Sequence, residues 1–148
     1  MAATPERTSR TPVQMAALVV GAVFLLVGVL GFVPESPPAT TAWNSPGTTP
    51  ALLMGLFQVS ILHNVVHLLF GIAGVLAARS WRASRIYLVL GGVMYLMLWL
   101  FGMLIDRTSP VNFVPVNAAD NWLHLLLGLG TIAPGYVLAA RRSTGITR

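Results

Sequence analysis

Two short motifs place imidazole, amide and carboxylate side chains inside stretches that are otherwise apolar. The first is HNVVHLLFG, residues 63–71, and the second is DNWLHLLLG, residues 120–128. Six polar residues occupy equivalent positions in the two motifs: His63, Asn64 and His67, then Asp120, Asn121 and His124. Neutral imidazoles bind transition metals or haem, relay protons, or form hydrogen bonds between helices. Any chemistry in this chain is therefore expected at these six residues.

Four apolar runs are long enough to carry these motifs through a membrane. The chain is 55% hydrophobic and only 9% charged, whereas about a quarter of the residues of a soluble domain are charged. About 20 residues, each rising about 1.5 Å along a helix, cross a hydrocarbon core of about 30 Å. The sequence therefore predicts an all-α membrane protein with four transmembrane helices, at about residues 13–33, 52–78, 86–105 and 117–140.

The arginines predict how these helices are oriented. Eight of the nine basic residues lie before the first run, between the second and third, or after the fourth: Arg7, Arg10, Arg79, Arg82, Arg85, Arg141, Arg142 and Arg148. Basic residues favour the cytoplasmic side. Both termini are therefore expected in the cytoplasm, as tails 1–12 and 141–148 of a multi-pass plasma-membrane protein. This placement also accounts for the high isoelectric point, so no nucleic-acid partner is expected.

The four helices divide into two halves with the same topology. A shift of 57 positions superimposes the second run on the fourth. A shift of 71 positions superimposes the first on the third, where Gly21 meets Gly92 and Gly31 meets Gly102. Each half runs outward and then inward, which predicts parallel two-helix repeats related by a pseudo-two-fold axis along the membrane normal.

Helical spacing places each polar motif on one face of its helix. Residues three and four apart share a face, and the helix-packing glycines Gly71, Gly74 and Gly128 continue the same faces. Because unpaired polar groups are costly in hydrocarbon, these faces should point into the bundle. The repeat axis then sets His67 opposite His124. It also sets His63 opposite Asp120 as an ion pair, unless Asp120 instead caps the fourth helix.

The motifs also resemble a known family. HNVVHLLFG, together with NFVPVNAADNWLHLLLG at residues 112–128, is similar to actinobacterial four-helix integral membrane proteins grouped as domain of unknown function forty-three eighty-three. The resemblance covers nearly the whole chain, and the pattern NFVPxNxADNWLH is its most specific part. It implies an integral membrane protein and brings no established activity, cofactor or partner.

Three functions are compatible with the polar core. The favoured one is a structural or accessory subunit without a cofactor, surrounded by the lipid bilayer and associated with a membrane-protein partner or with further copies of itself. The second is a haem- or metal-binding protein that uses His67 and His124. The third is an oligomeric transporter of protons or small solutes. Enzymatic activity is not expected, because the chain has no cysteine and no triad, phosphate loop or carboxylate pair.

Overall fold

The computed structural model describes residues 9–33, 51–106 and 116–140. Within these ranges the chain forms four helices and one two-stranded hairpin. In chain order they are α1 (Pro12–Leu30), β1 (Ala51–Leu53), β2 (Phe57–Val59), α2 (Ile61–Ala77), α3 (Trp81–Leu104) and α4 (Ala118–Ala140). Helices α1, α3 and α4 are long and apolar enough to cross a membrane, whereas α2 is shorter, with 17 residues. The three long apolar helices indicate a membrane-embedded protein.

The second helix begins later than the sequence predicts. It was expected from about residue 52, but it begins at Ile61 because residues 51–59 form an antiparallel hairpin. Met54 and Gly55 have φ angles of 56° and 68°, a left-handed conformation that reverses the chain between two strands. Ser60 then caps α2, since its side chain accepts a backbone hydrogen bond of 3.1 Å from the first turn. Hydropathy alone does not separate a short apolar hairpin from the start of an apolar helix.

The third helix begins earlier than predicted, at Trp81 rather than at residue 86. Ser80 caps it by accepting a hydrogen bond of 3.1 Å from the Ala83 backbone N–H. Arg82 and Arg85 therefore lie on the helix and not in a loop. The Arg85 guanidinium carbon is 6.0 Å from the centre of the Trp81 ring, a distance at which a cation and an aromatic face attract one another.

The helices pack as two antiparallel pairs, α1 with α2 and α3 with α4, and the two pairs meet mainly through α1 and α3. Their charges separate along the bundle. Among the described residues, all arginines lie where α1 and α3 begin, at a surface called here the arginine end: Arg10, Arg79, Arg82 and Arg85. Both described carboxylates, Asp106 and Asp120, lie at the opposite end, called the hairpin end because β1 and β2 cover it.

The bundle is polar inside and apolar outside. Asn64 and Asp120 are each 1% exposed and His124 is 4% exposed, while outward-facing leucines such as Leu90 and Leu126 are more than 60% exposed. At the arginine end the interior is closed by a small apolar cluster of Val13, Ala17, Ala78 and Leu88. Burial of polar groups beneath an apolar exterior is the arrangement expected of helices that face lipid.

Candidate functional site

All six residues of the predicted polar core lie on the inward faces of α2 and α4. Five of them are buried, and His63 is half-buried. The predicted packing glycines Gly71, Gly74 and Gly128 are buried on the same faces. The polar residues belong to the hairpin end, and the glycines continue toward the arginine end.

Each buried asparagine lies against a glycine of the neighbouring helix. The Asn64 side-chain N–H donates a hydrogen bond of 2.7 Å to the Gly31 carbonyl. Asn121 packs on Gly102, where an added Cβ would lie only 3.0 Å from its amide carbon. The shift of 57 relates the two asparagines, and the shift of 71 relates the two glycines. In both pairs the glycine leaves space for the asparagine amide that a Cβ would occupy.

The helices of each pair approach closely through a second set of glycines. A Cβ on Gly21 would lie 2.9 Å from the Gly71 carbonyl oxygen, and one on Gly92 would lie 2.7 Å from that of Gly128. Real Cβ atoms essentially never come within 3.0 Å of such an atom. These contacts also join positions related by the two shifts. Close backbone approach through glycine is a recurrent way of packing helices in membranes.

His67 and His124, which occupy the same position in the two motifs, lie at the two ends of a row of rings. A row of four rings crosses the bundle: His67, Phe24, Tyr95 and His124. Neighbouring ring centres in this row are 5.3, 5.5 and 5.6 Å apart, and the central Phe24 and Tyr95 rings are stacked within 8° of parallel. The sequence reasoning overlooked Phe24 and Tyr95. The shift of 71 pairs them, so the same alignment that matched the glycines could have identified both.

Asp120 joins the first turn of α4 to the hairpin. Its Oδ2 accepts hydrogen bonds from the backbone N–H groups of Asn117 at 3.0 Å and Gln58 at 3.1 Å. The Asn117 side-chain oxygen accepts a bond of 2.9 Å from the Asp120 N–H in return. This reciprocal pattern is a capping box in which Asn117 is the cap residue. Asp120 therefore supports the cap from within the first turn and does not itself occupy the capping position.

The predicted ion pair between His63 and Asp120 is not formed. The His63 ring instead stacks on the His67 ring, with 4.3 Å between their centres and 17° between their planes. The His67 Nδ1–H donates to the His63 carbonyl at 2.9 Å, which leaves Nε2 of the neutral His67 ring as an acceptor. The carboxylate of Asp120 is engaged by backbone N–H groups, which sequence spacing alone does not reveal.

A cavity of about 130 Å³ lies beneath the hairpin. Its polar lining residues are His63, His67, Tyr95, Asp120 and His124. This space is well below the roughly 300 Å³ or more of usual ligand pockets, so it does not admit a haem macrocycle. Among the described residues, no group of three or more histidine or acidic side chains is arranged to hold a metal ion.

The fold and its core define a helical, membrane-embedded protein with an inward-facing polar cluster. A family model described as "Domain of unknown function (DUF4383)" matches residues 14–137, and the chain belongs to this family. No curated protein and no solved structure matches the chain. Since the family carries no described activity, the function is argued from the contacts above.

Proposed function

We propose that this protein is a structural or accessory subunit of the plasma membrane and that it is not an enzyme. In this proposal it is built from two parallel two-helix repeats, and its polar core serves mainly to fix how the helices pack. The observation that carries the proposal is the Asn64 bond to the Gly31 carbonyl, together with the equivalent contact of Asn121 with Gly102. A side-chain amide that hydrogen-bonds a neighbouring helix sets the register of the two helices. It then has less hydrogen-bonding capacity left for a substrate.

Matched contacts along the bundle support the repeat. The asparagine contacts, the ring row and the glycine contacts each join positions related by the same two shifts. In this arrangement all four helices cross the membrane. The 17 residues of α2 span about 25 Å at a rise of about 1.5 Å each. The hairpin adds to this span at the outer side, where Asp120 satisfies one of its backbone N–H groups.

The interior at the arginine end argues against transport by this chain alone. Val13 and Leu88 are fully buried there, and the hydroxyl of Tyr87, which packs against this cluster, is buried without a hydrogen-bond partner. The hydroxyl of Ser84 donates to backbone carbonyls of the adjoining turn, and the hydroxyl of Thr131 donates to Leu127 of its own helix. Within the described residues, the polar groups therefore do not form a path between the two ends.

The proposed orientation places the arginine end in the cytoplasm and the hairpin outside. The chain has no cysteine of its own, so single cysteines can be introduced without background. Ser9 is exposed at the arginine end, and Met54 is 79% exposed at the tip of the hairpin. In intact cells, a membrane-impermeant maleimide is expected to label Met54→Cys and to label Ser9→Cys only after permeabilisation. The opposite labelling pattern would refute the orientation.

The accessory role is tested on the protein isolated from its own membrane in a mild detergent. Native mass spectrometry is expected to show a complex in which this chain and a second polypeptide occur at a fixed ratio. The same purified chain in proteoliposomes is expected to pass no more protons than empty liposomes. A homo-oligomer would leave a structural role without a second polypeptide, whereas a monomer in the first measurement or a proton flux in the second would contradict the role.

A further inference from the structure

The cavity beneath the hairpin has the size of a site for a single small ring. Its volume is about 130 Å³, close to the roughly 150 Å³ of an engineered apolar protein cavity that binds benzene. Apolar side chains of the hairpin, α1 and α4 supply most of the wall: Leu53, Phe57, Val59, Val27, Leu123 and Leu127. An anionic ligand would lose its hydration in such an enclosure without a matched partner.

The cavity also presents hydrogen-bonding capacity that the described protein groups leave unused. His124 lines the cavity and is 4% exposed, and no hydrogen bond from the described residues reaches either nitrogen of its ring. The His67 ring uses only its Nδ1, through the bond to the His63 carbonyl. A buried nitrogen that has neither water nor a protein partner is costly. A neutral ligand that supplies this partner would therefore be favoured over one that is only apolar.

These two observations together define the ligand class. We infer that the cavity binds a neutral six-membered ring that carries a hydroxyl or carbonyl oxygen, with the oxygen bonded to His124. The ring fills the apolar space, and the flanking Tyr95 and Phe57 provide aromatic walls. A hydroxyl both donates and accepts, so a phenol satisfies either tautomer of the imidazole.

The hairpin encloses this site through contacts with α4. The Asn117 side-chain N–H donates to the Leu56 carbonyl at 2.8 Å, and Asp120 accepts from the Gln58 N–H at 3.1 Å. Both bonds hold the strand and turn over the cavity. The same Asp120 carboxylate lines the cavity, so an anionic ligand would meet a negative charge. This charge is a further reason against an anionic ligand.

The experiment compares 4-fluorophenol with 4-fluorotoluene, two rings of nearly equal size that differ in the hydroxyl. Each probe is titrated into the purified full-length protein in detergent micelles, and binding is followed by the shift of its ¹⁹F resonance. The variant Leu127→Trp, whose indole should fill the cavity, is the control that reports only the partition of each probe into the micelle. The wild-type protein is expected to bind the phenol about three- to tenfold more tightly than the toluene, the range given by one hydrogen bond.

The variant His124→Phe removes the ring nitrogens and keeps a ring of similar size. It should bind both probes with the affinity that the wild type has for fluorotoluene, and its helical circular dichroism should be unchanged. The proposal is overturned if the wild type shows no saturable binding above Leu127→Trp or binds both probes equally. A phenol preference that persists in folded His124→Phe also overturns it. If a variant fails to fold, partition is measured with empty micelles, and the comparison of the two probes on the wild type still decides.

Discussion

Replacing Gly21 by alanine is expected to lower the free energy of unfolding by about 1–3 kcal/mol, the usual cost of overpacking a close contact. The added Cβ would lie 2.8 Å from the Val75 nitrogen, 2.9 Å from the Gly71 oxygen and 3.0 Å from the Gly74 carbonyl carbon. All three are backbone atoms of α2, so no side chain can rotate away from the methyl group. Relief requires α1 and α2 to move apart, which would also strain the Asn64 bond to the Gly31 carbonyl.

A matched control is available on α4. Gly130 is helical and exposed, and a Cβ there would meet nothing within 4 Å. Gly130→Ala should leave stability unchanged or raise it by up to about 1 kcal/mol, because alanine favours the helix over glycine. Unfolding in mixed detergent micelles, followed by circular dichroism, compares the two variants. Equal stability of Gly21→Ala and Gly130→Ala would show that the close approach at Gly21 does not contribute to folding.

The helical parts of the fold were largely predictable because hydropathy and helical spacing act along the chain. The inward faces of α2 and α4 follow from residues three and four apart, and the structure places the asparagines, His67 and His124 on these faces. The shift of 71 also pointed to Gly31 and Gly102 before their asparagine partners were known. The helical spacing and the repeat therefore identified the asparagines and the glycines, but they did not predict that the two contact each other.

Hydropathy and helical spacing did not predict the hairpin. The helix predicted in its place also hid the backbone partner of Asp120. Residues 51–59 are apolar enough to extend a membrane helix, and only Met54 and Gly55 reverse the chain there. With a helix assumed at this position, the Gln58 N–H had a partner within its own helix. The repeat axis then set His63 opposite Asp120 as an ion pair. In the structure the strand offers that N–H to the carboxylate, and His63 stacks on His67.

One departure between the two halves lies at the hairpin end, where the roles of the residues differ. The asparagine positions are occupied by the same residue in both halves, Asn64 and Asn121. Where only α4 meets the hairpin, the second half carries Asp120 and the first carries His63. A carboxylate accepts backbone N–H groups, while an imidazole can stack on its neighbour and line the cavity. The difference thus follows from a contact that only one half makes.

Truncating Asp120 is expected to release the hairpin from α4. Asp120→Ala removes the acceptor for the Gln58 and Asn117 N–H groups, and it should cost about 1.5–3 kcal/mol, the range for a hydrogen bond to a charged group. The loss should be local before it is global, because α1 makes no part of this contact. Hydrogen exchange should therefore rise at Gln58 and at the first turn of α4, while protection in the middle of α1 stays as in the wild type.

Asp120→Asn is the matched variant that separates charge from bonding. Its side-chain oxygen can still accept from both N–H groups, so it should retain most of the protection at Gln58 and lose at most about 1 kcal/mol, the worth of an ordinary hydrogen bond. If Asp120→Asn is as damaging as Asp120→Ala, the negative charge itself stabilises the contact through the helix N-terminus. If neither variant changes exchange at Gln58, the carboxylate does not hold the hairpin. The cavity beneath it would then be covered by strand packing alone.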